Sequence, residues 1–223
     1  MIRVLLVDDD ELVRAGLAMI LDAADDIKVV GEAATGSEAI QLAKDARPDV
    51  VLMDVKMPGM DGIEATRRIT EHGDEPPSVV IVTTFETDEF LFRSLQAGAS
   101  GFVLKRTPPQ DLLAGIRAVA SGDGLLGPSV TKRIIEQFAG RPVADPGNRQ
   151  RLEVLTDRET ETLKLLAQGM NNAEIADALY VSESTAKTHI RRILMKLGLR
   201  DRVAAVIFAY QAGLLRPDTG SSE

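Results

Sequence analysis

Three apolar runs in the first half of this chain end abruptly in charged side chains, and any fold has to place all three ends. Ile2 to Val7 stops at Asp8, Asp9 and Asp10; Asp49 to Met53 stops at Asp54; Gly101 to Leu104 stops at Lys105. Short continuous apolar runs suit strands buried on both faces, which implies a parallel sheet with helices above and below it. If the three runs are parallel neighbours, acids and a lysine converge on one edge of that sheet. Open α/β sheets bind ligands at that edge. Clustered carboxylates suit Mg²⁺, and a nearby lysine suits a phosphoryl group.

The remaining pattern supports that sheet. It predicts strands at 2–7, 27–33, 49–53, 78–83 and 101–104, and helices at 11–23, 36–46, 61–71, 87–97 and 109–121. Five βα units with right-handed crossovers favour an α/β, flavodoxin-like, doubly wound order 2-1-3-4-5. In that order the ends of strands 1, 3 and 5 surround one crevice. The domain so defined spans 1–122. The segment 123–151 reads as a connecting helix after Pro128 followed by a linker, because residues 139–151 (AGRPVADPGNRQR) carry Pro, Gly and charge without apolar periodicity. Residues 152–215 read as a second, all-α domain, and 216–223 as a polar tail.

The second domain shows three helix starts. Thr156-Asp-Arg-Glu159 has the form of a capping box, Asn171-Asn-Ala-Glu174 is a looser version, and Ser182 caps a third helix at roughly 183–197. Only a few residues around Tyr180–Ser182 separate the second and third helices, which predicts a helix-turn-helix. On the third helix Ala186, Ile190, Ile193, Leu194 and Leu197 recur at helical spacing and face inward. Lys187, Thr188, Arg191 and Met195, flanked by Arg192, lie on the other side. A cationic, hydroxyl-bearing face in that position suits the DNA major groove. The last helix, 201–213, carries Val203, Ala204, Val206, Ile207, Ala209 and Tyr210. Some of these cover the domain core, and the rest would form an apolar strip.

Composition narrows the classes. The chain has 223 residues, long for one domain and comfortable for two. It has no cysteine, so thiolate metal sites, disulfides and a Cys nucleophile are excluded. The formal charge of −8 argues against a whole-chain nucleic-acid coat but leaves room for one basic face. No apolar run approaches ~18 residues, and an acidic stop occupies the place of a signal-peptide cleavage site. A cytoplasmic protein with no membrane partner is expected. Each motif also has an ordinary explanation. An acidic triplet can be a solvated helix N-terminus, and a basic helix face can be merely solvated. His72 has no partner in sequence, and His189 is better suited to packing or a phosphate contact than to metal.

Taken together, residues 2–121 resemble the receiver domain of two-component response regulators, and residues 152–215 resemble the LuxR-type DNA-binding domain. The pair in this order is similar to the NarL/FixJ family. The resemblance implies that Asp54 is the phosphorylated aspartate and that Asp8 and Asp9 are the acidic pair. It implies Mg²⁺ bound by Asp9, Asp54 and the backbone carbonyl of Lys56, with Asp8 acting largely through water. Thr83 and Lys105 would turn toward the phosphoryl group, and Phe102 would fill the space that Thr83 vacates. Pro58 and Gly62 match the loop after the phosphorylation site. The phosphodonor would be a sensor histidine kinase, and the chain would not be an enzyme in the usual sense. Lys187, Arg191, Arg192 and Lys196 are expected to contact phosphates of double-stranded DNA, and Lys187, Thr188 and Arg191 to face base edges, with Thr185 and His189 alongside. The resemblance implies that the last helix dimerises the DNA-binding domain, so that a homodimer reads two half-sites. Unphosphorylated, the chain is expected to be monomeric or to mask the third helix, and phosphorylation of Asp54 to favour a receiver pairing surface.

Arg106 departs from the family by following Lys105 where many receivers have proline; a trans bond is expected there. Phe85 is expected to shield the acyl phosphate from water. The sequence is also compatible with two other function classes: an aspartate-nucleophile phosphatase or phosphotransferase, and a DNA-binding or scaffold protein indifferent to phosphorylation.

Overall fold

Period-two alternation within the apolar runs decides which side chain meets which helix. The computed structural model describes residues 1–71, 76–84, 87–122 and 146–215. The chain divides into two units, Met1–Leu125 and Leu126–Glu223. His72, Phe85, the helix expected after Pro128 and the polar tail lie outside the described residues.

In the first unit β1 (Ile2–Val7), β2 (Ile27–Ala33), β3 (Val50–Met53), β4 (Ser78–Thr83) and β5 (Gly101–Leu104) form one sheet in the order β2-β1-β3-β4-β5. Every pairing is parallel. The expected order is therefore the one adopted. The helices α1 (Glu11–Asp22), α2 (Gly36–Ala46), α3 (Gly62–Thr70), α4 (Asp88–Gln96) and α5 (Pro109–Ala120) alternate with the strands. Val4, Leu6, Val50, Leu52, Val80, Val82 and Val103 share one buried cluster with Leu21 of α1 and with Leu112, Ile116 and Val119 of α5. The intervening residues Leu5, Val7, Val51, Met53, Val79 and Ile81 are also buried and point to the opposite face. Leu12 and Met19, by contrast, are exposed on α1.

Each strand of interest ends where its charged residue begins. Val7 pairs with Met53 across β1 and β3, so Asp8 and Asp54 follow on adjacent strands at the same level. The Asp54 amide donates to the Val7 carbonyl at 2.8 Å, and the Lys105 amide donates to the Thr83 carbonyl at 2.9 Å. Backbone pairing, not side-chain attraction, brings the acidic tips and the lysine to one edge.

Helical structure begins before residue 152. Residues 146–151, assigned above to the linker, form helix α6 (Pro146–Arg151), followed by a 3-10 turn at Leu152–Val154. Proline and glycine at 146 and 147 mask the helix because Pro is tolerated at a helix start. Then come α7 (Asp157–Ala167), α8 (Asn172–Leu179), α9 (Glu183–Leu197) and α10 (Arg202–Gln211). Thr156 and Asn171 both close full capping boxes, with Glu159 and Glu174. Ser182 accepts the Thr185 amide. Tyr180 takes a left-handed conformation (φ 54°) between α8 and α9, the sharp reversal that a helix-turn-helix needs. Arg158 donates to the Leu179 carbonyl and so caps the end of α8 just before that turn.

Gly62 is where the fold and the site constrain each other most tightly. A Cβ at this position would lie 1.8 Å from the Asp54 carbonyl oxygen, while the Gly62 amide donates to the Val55 carbonyl at 2.9 Å. The clash is with backbone and cannot be relieved by a rotamer. Gly62→Ala is expected to cost about 2–4 kcal/mol in urea unfolding and to displace Asp54. A stability within ~0.5 kcal/mol of wild type would contradict the close approach.

Candidate functional site

The crevice at the sheet edge collects the predicted acids. Asp8 and Asp54 are buried, whereas Asp9 is exposed. One carboxylate oxygen from each of the three lies within 4.8 Å of the others. Between Asp8 and Asp54 sits Lys105. Its Nζ is 2.5 Å from Asp8 Oδ2 and 3.3 Å from Asp54 Oδ1. The remaining acceptors are partly occupied by backbone: the Asp10 amide donates to Asp8 Oδ1 at 3.0 Å, and the Lys56 amide donates to Asp54 Oδ2 at 3.2 Å.

These contacts set the electrostatics. Burial pushes the Asp54 carboxyl above its ordinary range; the Lys105 charge opposes that shift, and the Asp8 charge adds to it. Burial disfavours the Lys105 ammonium, but its hydrogen bond to Asp8 and the charges of Asp54 and Asp8 outweigh burial and hold it above the ordinary lysine range. Lys105 is thus a firmly charged internal counter-ion. Asp54 is the less well compensated of its two partners, because its distance to the ammonium is longer.

The donor set fits a hard divalent cation. Three carboxylates converge with no sulfur or imidazole among the clustered ligands, and oxygen-only sets suit Mg²⁺. Asp8, Asp9 and Asp54 are the residues that would hold it. Lys56, whose carbonyl is the fourth expected ligand, is held beside them by the hydrogen bond its backbone amide donates to Asp54 Oδ2.

Thr83 ends β4 with no exposed surface, and Lys105 is bonded to its carbonyl. Phe102 is 5% exposed in β5, paired with Ile81. A switch based on its ring would start from an inward position, not from solvent. No cis peptide occurs among the described residues, so Lys105–Arg106 is trans. Arg106 is exposed.

Sequence reasoning missed Arg14. Its Nη1 donates to the Asp8 carbonyl at 2.6 Å, and its Nε lies 3.5 Å from Glu32 Oε2. It therefore braces the loop that carries the acidic pair. An arginine one turn beyond the helix cap Asp10 was the only available signal.

The candidate DNA-reading face is on α9. Ala186, Ile190, Ile193 and Leu197 are buried, as the spacing requires. At about 100° per residue, Ser184, Lys187, Thr188, Arg191 and Met195 cluster on the opposite side, and all five are exposed. Lys187 pairs with Glu183 at 3.3 Å, a surface bond that a phosphate could readily displace. Thr188 Oγ1 donates to the Ser184 carbonyl at 2.9 Å. Arg192 is exposed toward one flank, and Thr185 and His189 are half-buried there. The Nδ1 of His189 is buried without a hydrogen-bond partner, so only its other ring nitrogen is available to a ligand.

Lys196 is placed differently from the other cations. Its Nζ is 2.6 Å from Oε2 of Glu159, a carboxylate only 5% exposed at the side chain, so it ties α9 to α7. It is structural before it is a phosphate contact. On α10 the strip left outside the core is narrow. Val203, Val206 and Ala209 are buried, Ala204 and Ile207 are half-buried, and the Tyr210 hydroxyl donates to the Ala167 carbonyl at 3.0 Å.

Comparison with known proteins assigns both units. Residues 4–117 match the response regulator receiver domain, and residues 153–209 match the bacterial regulatory proteins of the luxR family. The chain therefore belongs to the two-component response regulators of the NarL/LuxR family; it is a DNA-binding transcription regulator and not an enzyme. It is 40% identical to the transcriptional regulatory protein LiaR of Bacillus subtilis (strain 168), over 96% of this chain and 100% of that one. The crystal structure of the response regulator ChrA, from a heme-sensing two-component system, is 39% identical with a TM-score of 0.51, covering 96% of this chain and 98% of ChrA. The structure of an RcsB–DNA complex is 25% identical with a TM-score of 0.54, covering 94% and 98%. Among the described residues no helix is long and apolar enough to cross a membrane. The hydrolase alternative is set aside by these relatives.

The Lys196–Glu159 pair yields a pH prediction. Burial opposes ionisation of Glu159, but the Lys196 ammonium and the Thr156 donors outweigh it and hold the carboxyl below its ordinary value of 4.5. A lowered carboxyl stabilises the fold above its ordinary value and loses that stabilisation as pH falls through the folded value. Lys196→Ala should therefore destabilise the second unit by about 1–3 kcal/mol at pH 7. The deficit should shrink below pH 4.5, where the unfolded carboxyl is already protonated. A pH-independent deficit in thermal melts would contradict the pairing.

Proposed function

We propose that the receiver accepts a phosphoryl group on Asp54 from a sensor histidine kinase, and that the resulting change favours a homodimer that grips double-stranded DNA through α9. The observation that carries this reading is the meeting of Asp8, Asp9 and Asp54 with Lys105 bridging two of them.

The chemistry follows from the residues. An oxygen of Asp54 attacks phosphorus, the phosphorus–nitrogen bond of the donor phosphohistidine breaks, and the imidazole leaves with the electron pair and takes up a proton. Bound Mg²⁺ would offset the carboxylate charge that repels the anionic donor. The acyl phosphate brings new anionic oxygens to the place where Lys105 now holds Asp54 at the longer of its two distances. Lys105 can shift to them by a charge-assisted hydrogen bond. Thr83, at the end of the neighbouring strand, supplies a hydroxyl for the same group. Because the Lys105 amide is bonded to the Thr83 carbonyl, β4 and β5 respond as one edge.

The DNA side rests on charge and geometry. Lys187, Thr188 and Arg191 occupy the centre of the exposed face, suited to base edges, and Arg192 lies beside them, suited to phosphate. Thr185 and His189 would contact the backbone from the flank. Dimerisation raises the effective concentration of the second contact, and Ala204 and Ile207 of α10 are the apolar groups left for a second copy. The site of action is the cytoplasm, where kinase and DNA are both accessible.

The test treats the full chain with acetyl phosphate and Mg²⁺, then measures mass in solution and affinity for a duplex selected by the protein from random sequence. Wild type should dimerise and bind at least about tenfold more tightly. Asp54→Asn should do neither. Equal DNA affinity with and without the phosphodonor would instead support a regulator indifferent to phosphorylation.

A further inference from the structure

Arg151 lies upstream of the matched DNA-binding region, at the end of the short helix α6. Its guanidinium nevertheless reaches the far end of the DNA-reading helix. Nη2 donates to the carbonyl of Leu197, the last residue of α9. Nη1 donates to Asn148 Oδ1 at 3.3 Å. The cation also lies 4.8 Å from the centre of the buried Phe208 ring on α10. Nearby, Asn148 Nδ2 donates to Gln211 Oε1 at 3.5 Å. These contacts fasten α6 to both α9 and α10.

The Leu197 carbonyl needs such a partner. The last carbonyls of a helix have no amide within the helix to accept from. At the end of α9, left-handed Gly198 directs its amide to the Leu194 and Met195 carbonyls, and the Leu199 amide also goes to Leu194. That turn leaves Leu197 to Arg151. A cation at a helix C-terminus is further favoured by the helix dipole, and stacking on an aromatic face orients its plane. One residue earlier, Lys196 is held by Glu159 at 2.6 Å. The final turn of α9 is therefore anchored at two points, one on either side of the 3-10 turn at Leu152–Val154. Lys187 lies ten residues before Leu197, about 15 Å along the axis. Small errors in tilt at the anchored end are magnified there.

We propose that Arg151 is a positioning residue for DNA recognition. It sets the tilt of α9 so that Lys187, Thr188 and Arg191 reach their base edges together, without itself touching DNA. The packed helices of the DNA-binding unit accordingly include α6, upstream of the matched region. The inference rests on α9 being the DNA-reading helix.

The test uses the full chain and two probes, a duplex selected from random sequence by the wild-type protein and a scrambled duplex of the same length. Affinity is measured for both over a series of salt concentrations. Arg151→Ala should lose about tenfold on the selected duplex, while its affinity for the scrambled duplex and its salt slope stay within about twofold of wild type. Arg151→Lys keeps the charge but not the fork or the stack, and should fall between. Equal loss on both duplexes with a slope shallower by about one ion would make Arg151 a phosphate contact and overturn the proposal. Equal loss with unchanged slope and a reduced folded fraction by circular dichroism would reduce it to a folding role, and no loss would also overturn it. Lys187→Ala is measured in parallel. If it leaves the ratio between the two duplexes unchanged, the assignment of α9 is what has failed.

Discussion

One ammonium holds together two carboxylates that would otherwise repel each other at the edge of the sheet. Lys105 spans Asp8 and Asp54, and the backbone pairings that end β1, β3 and β5 bring all three residues to one edge. The pairing is unequal, closer to Asp8 than to Asp54, so the acid proposed to react is the one less satisfied. Burial leaves that acid reluctant to ionise. A charge added at Asp54 is therefore felt first by Lys105, and through its amide by Thr83. The proposed switch would need no long pathway at its origin, only a half-buried cation with a choice of partners.

The second unit uses cations for a different purpose. Arg158 and Arg151 donate to carbonyls at the ends of α8 and α9, and Arg202 donates to the Met170 carbonyl in the turn before α8. Helices this short leave a large share of their backbone groups unpaired at the ends. Side-chain donors from neighbouring helices satisfy some of those groups and fix the angles between helices at the same time. The basic residues of this unit are thus divided between those tied to neighbouring helices and those on the exposed face of α9.

That division also marks what could be read in the sequence. The strands, their order and the acidic crevice were legible because continuous apolar runs end in charge and because period-two burial admits one register. The caps at Thr156, Asn171 and Ser182 were legible because capping is local chemistry. The role of Lys196 was not, because a lysine on a basic helix looks the same whether it meets Glu159 or a phosphate. Residues 146–151 read as linker because Pro and Gly lead them, and nothing local shows that Arg151 will find Leu197 and Phe208. Arg14 was hidden for the same reason: its partners, the Asp8 carbonyl and Glu32, come together only in the folded sheet. The burial of Phe102 was legible because it lies in a continuous apolar run, Gly101–Leu104.

The counter-ion role of Lys105 is tested most directly by titrating Mg²⁺ into the full chain and into Lys105→Met, with the fold of the variant verified by its far-ultraviolet circular dichroism. An incoming cation competes with the ammonium for Asp8 and Asp54, so removing the ammonium should tighten Mg²⁺ binding by about tenfold or more. Equal or weaker binding by Lys105→Met would contradict the view that this lysine neutralises the crevice at rest.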